Sequence, residues 1–146
     1  MTKLQGDLQQ LKFERMGDIK IHRNGGYPHF VIDDPVKKKH GHVYMWVLEK
    51  NKQPREILYI GRAGKTLKSR CNQHLGGFRG GSNSGKRNAE VILLKLKEKG
   101  ASIGVYSRYS RQLTILGQRG ISLSHAEEAA LIQKYKEEFK LLNVAK

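Results

Sequence analysis

The chain has 146 residues, the length of one ordinary domain, and a formal net charge of +15 at pH 7. This excess indicates a polyanionic partner, nucleic acid before an anionic membrane, although a basic surface that only aids solubility stays open. The single cysteine, Cys71, excludes an internal disulfide and a cysteine metal cluster. Because no apolar run spans a membrane and no secretory signal begins the chain, we expect an intracellular protein, cytoplasmic or at the nucleoid, with no membrane partner.

Residues 1–40 are expected to form an N-terminal extension made of one helix and one hairpin. A short amphipathic helix, which is also a candidate dimer contact, is predicted from the spacing of Leu4, Leu8 and Leu11. Between 18 and 33, alternating apolar residues flank the turn signal Asn24-Gly25 and predict the hairpin. A basic link follows, formed by Lys37, Lys38 and Lys39.

Residues 41–146 are expected to form the main domain, a compact α/β fold. Three strands are predicted, at 43–48, 57–60 and 103–108. The first is apolar at every position, which is typical of a strand covered on both faces. The third alternates apolar and polar residues. The predicted sheet is therefore three-stranded and mainly antiparallel, with helices flanking it.

Three helices are predicted in this domain, at 66–75, 88–99 and 124–139, because apolar residues recur there at helical spacing. Five of the twelve residues in 76–87 are glycine. This segment is expected to lack regular structure, since glycine leaves the backbone too free. The stretch 110–123 shows no clear pattern and is predicted to be a loop.

The order of short motifs in this domain resembles that of the GIY-YIG nuclease family. The second motif in the family name is intact as Tyr59-Ile60-Gly61, whereas the first appears as His42-Val43-Tyr44, with His in the place of Gly. An Arg and a His follow on the next helix, and a Glu and an Asn follow later. The positions that match the family site are Tyr44, Tyr59, Arg70, His74, Glu128 and Asn143. The resemblance covers residues 41–146.

This resemblance implies a metal-dependent endonuclease that hydrolyses the phosphodiester bonds of DNA, as a restriction, homing or phage-type enzyme. It implies Mg²⁺, or Mn²⁺ as a substitute, held by Glu128. The expected partner is double-stranded DNA. One chain has one site and a duplex has two strands of opposite polarity, so double-strand cutting is expected to need two chains, as a homodimer on DNA, or two sequential visits by one chain.

The residue types suit this chemistry without the family name. Arg70 and His74 are four residues apart and therefore lie on the same face of their helix. An Arg fork can bind two phosphate oxygens at once, and a neighbouring His or Tyr can move a proton. A single carboxylate can hold one Mg²⁺ that keeps most of its waters. Whether Tyr44 or His74 is the general base stays open at this point.

Five of the six site residues also have an ordinary structural interpretation. Tyr44 and Tyr59 could be core aromatics of their strands, and Arg70 could be a solvated helix residue. A His near the end of a helix and an Asn after one are both common helix caps; these are His74 and Asn143.

Two adjacent acids compete for the metal. Ser124 followed three residues later by Glu127 has the spacing of a capping box, which gives Glu127 a structural role. Glu128 shares the inward face of its helix with Leu131 and Ile132. A carboxylate among apolar neighbours is costly unless it is paired or bound to a metal. We therefore assign the metal to Glu128.

Four basic residues are candidate contacts to nucleic acid: Lys65, Arg79, Lys86 and Arg87. The last three belong to the glycine-rich segment, which contains no acid and could wrap a phosphate backbone and bring Phe78 to a base, or could be a plain flexible linker. Lys65 precedes a helix start, which favours anions, or it could be a surface lysine with no role. The alternatives to the nuclease are a non-catalytic basic module that binds nucleic acid, or the same fold acting in DNA repair or as a toxic effector.

Overall fold

The computed structural model describes residues 2–24, 26–33 and 40–143. The basic link at Lys37, Lys38 and Lys39 lies outside this part of the chain, as does Gly25 of the predicted turn. In chain order the elements are α1 (Lys3–Gln10), β1 (Glu14–Ile21), β2 (Pro28–Ile32), β3 (His42–Lys50), β4 (Gln53–Ala63), α2 (Leu67–Gly76), a π-helical turn (Gly77–Gly81), α3 (Asn83–Leu96), β5 (Ala101–Tyr109), β6 (Gln112–Ile115), β7 (Gln118–Ser122) and α4 (Ser124–Tyr135).

The main sheet has five strands in the order β2-β1-β5-β3-β4, and every neighbouring pair is antiparallel. The α/β class and the antiparallel pairing are confirmed, but the predicted count of three strands is wrong. The three predicted strands are β3, β4 and β5, and the N-terminal hairpin extends the same sheet because β1 pairs with β5. This pairing buries Met16 and Ile19 of β1, which the hairpin alone would leave in water.

The sheet is covered on both faces. Side chains of β3 alternate between two clusters, so that Tyr44 and Trp46 lie on the side of α2 and α3, whereas Val43 and Met45 lie on the side of α1 and α4. Eight consecutive residues of β3 are buried, as the uniformly apolar run predicted. Leu4 and Leu8 of α1 are buried in the second cluster. Leu4 and Leu8 therefore serve this chain's own core and are not available for the predicted dimer contact.

The glycine-rich segment is ordered, in contrast to the expectation for 76–87. The π-helical turn occupies Gly77–Gly81, and α3 begins at Asn83 rather than at 88. The hydroxyl of Ser82 caps α3 by accepting from the Gly85 amide at 3.0 Å. A Cβ on Gly85 would lie 2.5 Å from the carbonyl carbon of Gly77. The glycines therefore allow two backbones to touch, which residue composition alone does not reveal.

The stretch predicted to be a loop, 110–123, is a second hairpin. Strands β6 and β7 pair with each other and not with the main sheet. Its short strands carry few buried residues, which explains why no apolar pattern was visible. Among the described residues, no helix is both long and apolar enough to cross a membrane.

Candidate active site

The two motif tyrosines meet above Gly61 on adjacent strands. Tyr44 of β3 lies opposite Gly61 of β4, and its ring stacks on that of Tyr59 with 6.0 Å between the ring centroids. A Cβ on Gly61 would lie 2.5 Å from the Tyr44 hydroxyl oxygen and 2.8 Å from Cε1 of Tyr59. The motif therefore needs glycine here because the two tyrosine rings occupy the space of a side chain.

His74 is bound to this tyrosine pair from α2. Its Nε2 lies 2.5 Å from the hydroxyl oxygen of Tyr44, which is hydrogen-bond distance. Its ring also stands edge-on to Tyr44, Tyr59 and Trp46, with ring centroids 5.8, 5.1 and 4.7 Å away. The imidazole is thus fixed by aromatic packing on several sides, and it does not cap the end of its helix.

Both partners of this hydrogen bond are uncharged at neutral pH. Burial, and then the positive charge of Arg70, lower the pKa of His74 to about 3. Burial, and then neighbouring Tyr59, raise the pKa of Tyr44 well above its usual 10, against the opposing effect of Arg70. The Tyr44 side chain is fully buried, whereas His74 keeps partial exposure. His74 is therefore the member of the pair that solvent can reach.

Arg70 supplies the positive charge of this site. Burial tends to lower the pKa of its guanidinium, but the adjacent hydroxyls of Tyr44 and Tyr59 raise it overall. One guanidinium nitrogen, Nη1, donates to Oε1 of Gln73 at 2.7 Å. No acidic side chain of the described residues forms an ion pair with Arg70, so its charge is available to an anion. The structure thus brings Tyr44, Tyr59, Arg70 and His74 together.

Glu127 has a structural partner, although not the predicted one. The cap of α4 is Leu123, and Ser124 is the first helical residue. The Ser124 hydroxyl accepts from Nε of Arg62 at 3.3 Å, so the predicted capping box is wrong. Instead, Oε2 of Glu127 accepts from Nη2 of Arg108 at 3.2 Å, an ion pair that ties α4 to β5. The sequence indicated a structural role for Glu127 but not its partner.

Glu128 is half-buried on α4 and forms no hydrogen bond or ion pair with the described residues. Its carboxylate forms no hydrogen bond with Tyr44 or His74. Within residues 2–24, 26–33 and 40–143, no three His, Cys, Asp or Glu side chains group as a metal site. A metal on Glu128 would therefore rely on one carboxylate and on water. That donor set fits Mg²⁺, which usually keeps several of its waters.

Asn143 braces the strand that carries Tyr59. Its Nδ2 donates to the Ile60 carbonyl at 2.5 Å, and its Oδ1 accepts from the Ile60 amide at 3.4 Å. The Leu142 amide donates to the Leu58 carbonyl at 2.8 Å. The C-terminal segment therefore pairs with the outer edge of β4, next to the site. Because α4 ends at Tyr135, Asn143 is not a helix cap.

The four predicted nucleic-acid contacts are all exposed: Lys65, Arg79, Lys86 and Arg87. The guanidinium of Arg79 lies over the Tyr27 ring, 5.3 Å from its centroid. Lys65 lies in the loop before α2. None of the four forms an ion pair with an acid among the described residues. Their charges face solvent, as a contact to phosphate requires.

Phe78 cannot reach a base, contrary to the expectation from the sequence. Its side chain is buried and stacks on Phe30, with ring centroids 5.6 Å apart. Phe30 and Phe78 also adjoin the His74 ring. This aromatic packing around His74 was not predicted from the sequence, although the aromatic residues of β2 and β3 could have indicated it. Phe78 is part of the packing beneath the site.

A second polar cluster, which the sequence did not reveal, lies at the other end of β3. The buried carboxylate of Glu49 accepts hydrogen bonds from Arg15, Ser102 and Tyr106. Although burial opposes ionisation, the bonds from Arg15 and Tyr106 lower the pKa of Glu49 overall. Arg15 also pairs with Asp18. Because these charges satisfy one another, the cluster is a structural link between β1, β3 and β5.

Comparisons with known proteins agree with this geometry at the level of the fold. No protein-family model and no curated protein matches the sequence. The chain is similar to the solved structure of a mutant of bacteriophage T4 EndoII, with a TM-score of 0.65 and 18% sequence identity, covering 92% of this chain and 96% of that one. It also matches restriction endonuclease HPY188I in complex with product DNA, with a TM-score of 0.49, 16% identity and coverage of 94% and 82%. The first likeness shows that the chain has the fold of EndoII.

Proposed function

We propose that this chain is an endonuclease that hydrolyses phosphodiester bonds of double-stranded DNA through a site of the GIY-YIG type. The observation that carries the proposal is the hydrogen bond of 2.5 Å between Tyr44 and a neutral His74, with the unpaired cation Arg70 beside it. Side chains that served only to pack the core would need neither this hydrogen bond nor a cation beside it. The fold shared with EndoII and the net charge of +15 support the proposal.

Arg70 binds the scissile phosphate in this proposal. Its guanidinium fork donates to two phosphoryl oxygens at once. Negative charge grows on these oxygens as water attacks, so a fixed cation in a partly dry site favours the transition state over the ground state. The Tyr59 hydroxyl, which adjoins Arg70, adds a hydrogen-bond donor to the same oxygens.

His74 accepts the proton of the attacking water. It is neutral over the physiological pH range and is more exposed than Tyr44. When its Nε2–H donates to the Tyr44 oxygen, Nδ1 is left as the acceptor. A phosphate bound to Arg70 offsets the positive charge that helps to depress the pKa of His74. Substrate therefore raises the basicity of His74 at the step that needs it.

Glu128 is the residue that would hold Mg²⁺, or Mn²⁺ in its place. Its carboxylate is half-buried and has no partner among the described residues, so it is available to a cation. When bound, the metal supplies charge neutralisation at the leaving oxygen. Asn143 keeps β4, and with it Tyr59, in position. Cutting of both strands in one binding event needs two such sites, and for this we propose a homodimer on DNA.

The direct test is to incubate the purified protein with plasmid DNA and, separately, with RNA, in Mg²⁺, Mn²⁺ or EDTA. Arg70→Ala is expected to slow DNA cleavage by roughly 10²-fold or more, because it removes transition-state stabilisation. Arg55→Ala is the matched control, since Arg55 is exposed on the same sheet at the other end of β4, and it should cut normally. Normal cleavage by Arg70→Ala would contradict the assigned site. A wild-type protein that binds DNA and never cuts it would make the chain a non-catalytic binding module.

A further inference from the structure

The hairpin β6–β7 ends in an apolar tip that the fold does not use. The two-residue turn is Leu116-Gly117, between paired Ile115 and Gln118. The Leu116 side chain is 97% exposed, and Ile115 next to it is 43% exposed. Burial in this chain therefore does not explain why an apolar residue stands at the tip.

The backbone at the tip also disfavours leucine. Leu116 has φ +51° and Gly117 has φ +78°, a pair of left-handed conformations for which hairpins favour Asn-Gly or Asp-Gly. A residue with a Cβ is disfavoured in this conformation, because the Cβ crowds the following carbonyl oxygen. A leucine at position 116 is thus unfavourable for two reasons, because its apolar side chain is exposed to water and because its backbone is left-handed. Local strain of this kind is typical of functional segments.

The hairpin that carries the tip is basic. Neither Asp nor Glu occurs between residues 99 and 126. Arg111 precedes β6 and Arg119 lies in β7, and both are exposed. Arg119 lies next to the turn and Arg111 lies at the base of the hairpin. An apolar tip on a basic hairpin is complementary to a duplex, in which phosphates flank apolar base faces. Proteins that kink DNA use Leu, Ile or Phe side chains in this way, as wedges between base steps.

The hairpin projects from the end of the sheet that carries the candidate active site. Tyr109, the last residue of β5, pairs with His42, two residues from Tyr44 along β3, which is about 7 Å. The Leu123 amide donates to the Arg111 carbonyl at 2.9 Å and closes the base of the hairpin. The base of the hairpin therefore lies at the same end of the sheet as a duplex held at Arg70.

We propose that the β6–β7 hairpin is a DNA wedge, in which Leu116, with Ile115 beside it, inserts between base pairs near the cleaved phosphodiester while Arg111 and Arg119 contact the flanking phosphates. The proposal rests on the proposed function in one respect, namely that the substrate is a duplex. It adds a positioning residue, Leu116, that acts by opening a base step. No step of the hydrolysis itself is assigned to it.

The test replaces the exposed side chain of Leu116 with one that suits the conformation of the turn. Leu116→Asn creates the Asn-Gly turn that this hairpin geometry favours, so its melting temperature should equal or exceed that of the wild type. The matched control is Leu94→Gln, which removes a leucine that is 64% exposed on α3, with a side chain that a helix accepts. Duplexes carry 2-aminopurine at successive steps around a preferred cut, and fluorescence is read with EDTA present, so that the DNA stays intact.

The wild type and Leu94→Gln should raise the fluorescence several-fold at one step, because an unstacked 2-aminopurine emits more strongly. Leu116→Asn should lose this rise and cut intact duplex about ten-fold more slowly, the equivalent of 1.4 kcal/mol. Its cleavage should recover on a duplex with a mismatch at that step, where the cost of unstacking the bases is already reduced. A residue with a merely structural role would not be rescued by a mismatch.

The wedge is refuted if Leu116→Asn keeps the fluorescence rise, or if its slower cutting is not rescued by the mismatch. It is also refuted if the substitution changes the sedimentation of the protein and leaves DNA distortion intact, since the tip then contacts a second protein. A wild type that cuts DNA without any fluorescence change defeats the wedge and leaves the proposed function standing. A wild type that neither binds nor cuts any duplex defeats both.

Discussion

Gly61→Ala tests the packing of the site, because its added methyl group would enter occupied space. The new Cβ would lie 2.5 Å from the Tyr44 hydroxyl oxygen, 2.6 Å from its Cζ and 2.8 Å from Cε1 of Tyr59. An ordinary contact begins near 3.4 Å. The Tyr44 ring must therefore move by roughly 1 Å, or the strands must separate. Neither adjustment is easy, because Tyr44 is fully buried.

We expect Gly61→Ala to lower the free energy of unfolding by about 1–3 kcal/mol, the usual cost of overpacking a core. This corresponds to a decrease of roughly 3–10 °C in Tm for a domain of this size. A shift of about 1 Å also disturbs the Tyr44–His74 hydrogen bond, and cleavage should fall by about 10²-fold. The two effects are measured separately, by thermal unfolding and by cleavage at a temperature where both proteins are folded.

Gly76→Ala is the control. Gly76 is the last residue of α2, its backbone is helical, and a Cβ there meets nothing within 4 Å. This substitution should leave cleavage unchanged and raise stability by about 0.5–1 kcal/mol, since alanine favours a helix over glycine. If Gly61→Ala melts and cuts like the wild type, the tyrosine rings do not occupy the space above Gly61, and the physical account of this motif is wrong.

Three further results are expected. Glu128→Gln should abolish metal-dependent cleavage and leave DNA affinity equal or tighter, because a negative charge is gone. A Glu128→Gln variant that still cuts DNA would contradict the assignment of the metal to Glu128. Glu127→Gln should keep cleavage and lose about 1 kcal/mol of stability with its bond to Arg108. The pKa of His74 is lowered to about 3 in the folded protein and is about 6.5 in the unfolded chain, so the unfolded chain binds more protons between these two pH values. The free energy of unfolding should therefore fall by up to a few kcal/mol as the pH decreases from 6.5 to 3. Denaturation of His74→Asn should show a flatter pH dependence over that window. Duplex binding should weaken steeply with salt as counterions are released, and a log–log slope near zero would remove the electrostatic argument.

The central part of the fold was predictable from local sequence patterns. The uniformly apolar run at 43–48 became β3, buried on both faces, because burial on two sides leaves no polar position. The alternation at 103–108 lies within β5, Ala101–Tyr109. The predicted helix 66–75 matches α2, Leu67–Gly76, whose first turn is capped by Thr66. In each case one element carries its own periodicity, so no knowledge of its neighbours is needed.

The parts that failed depend on contacts between distant segments. The pairing of β1 with β5 joins residues about ninety positions apart in the sequence, such as Glu14 and Ser107, and no periodicity records such a partner. The glycines at 76–87 predict a free backbone from composition alone, whereas Gly85 allows close contact with the backbone of Gly77. The partner of Glu127, Arg108, lies on another strand. Local spacing suggested a cap because it cannot detect a partner from elsewhere in the chain.

A core role and the proposed site role of the motif tyrosines do not exclude each other. Tyr44 and Tyr59 belong to the hydrophobic cluster beneath α2, and the same burial raises the pKa of Tyr44 and helps to lower that of His74. Packing thus fixes the rings and sets their protonation. A loss of cleavage in a tyrosine variant therefore indicates a chemical role of the tyrosine only when the variant is as stable as the wild type. Tyr44→Phe is suited to this comparison, since it keeps the ring in the core and removes only the oxygen bound to His74.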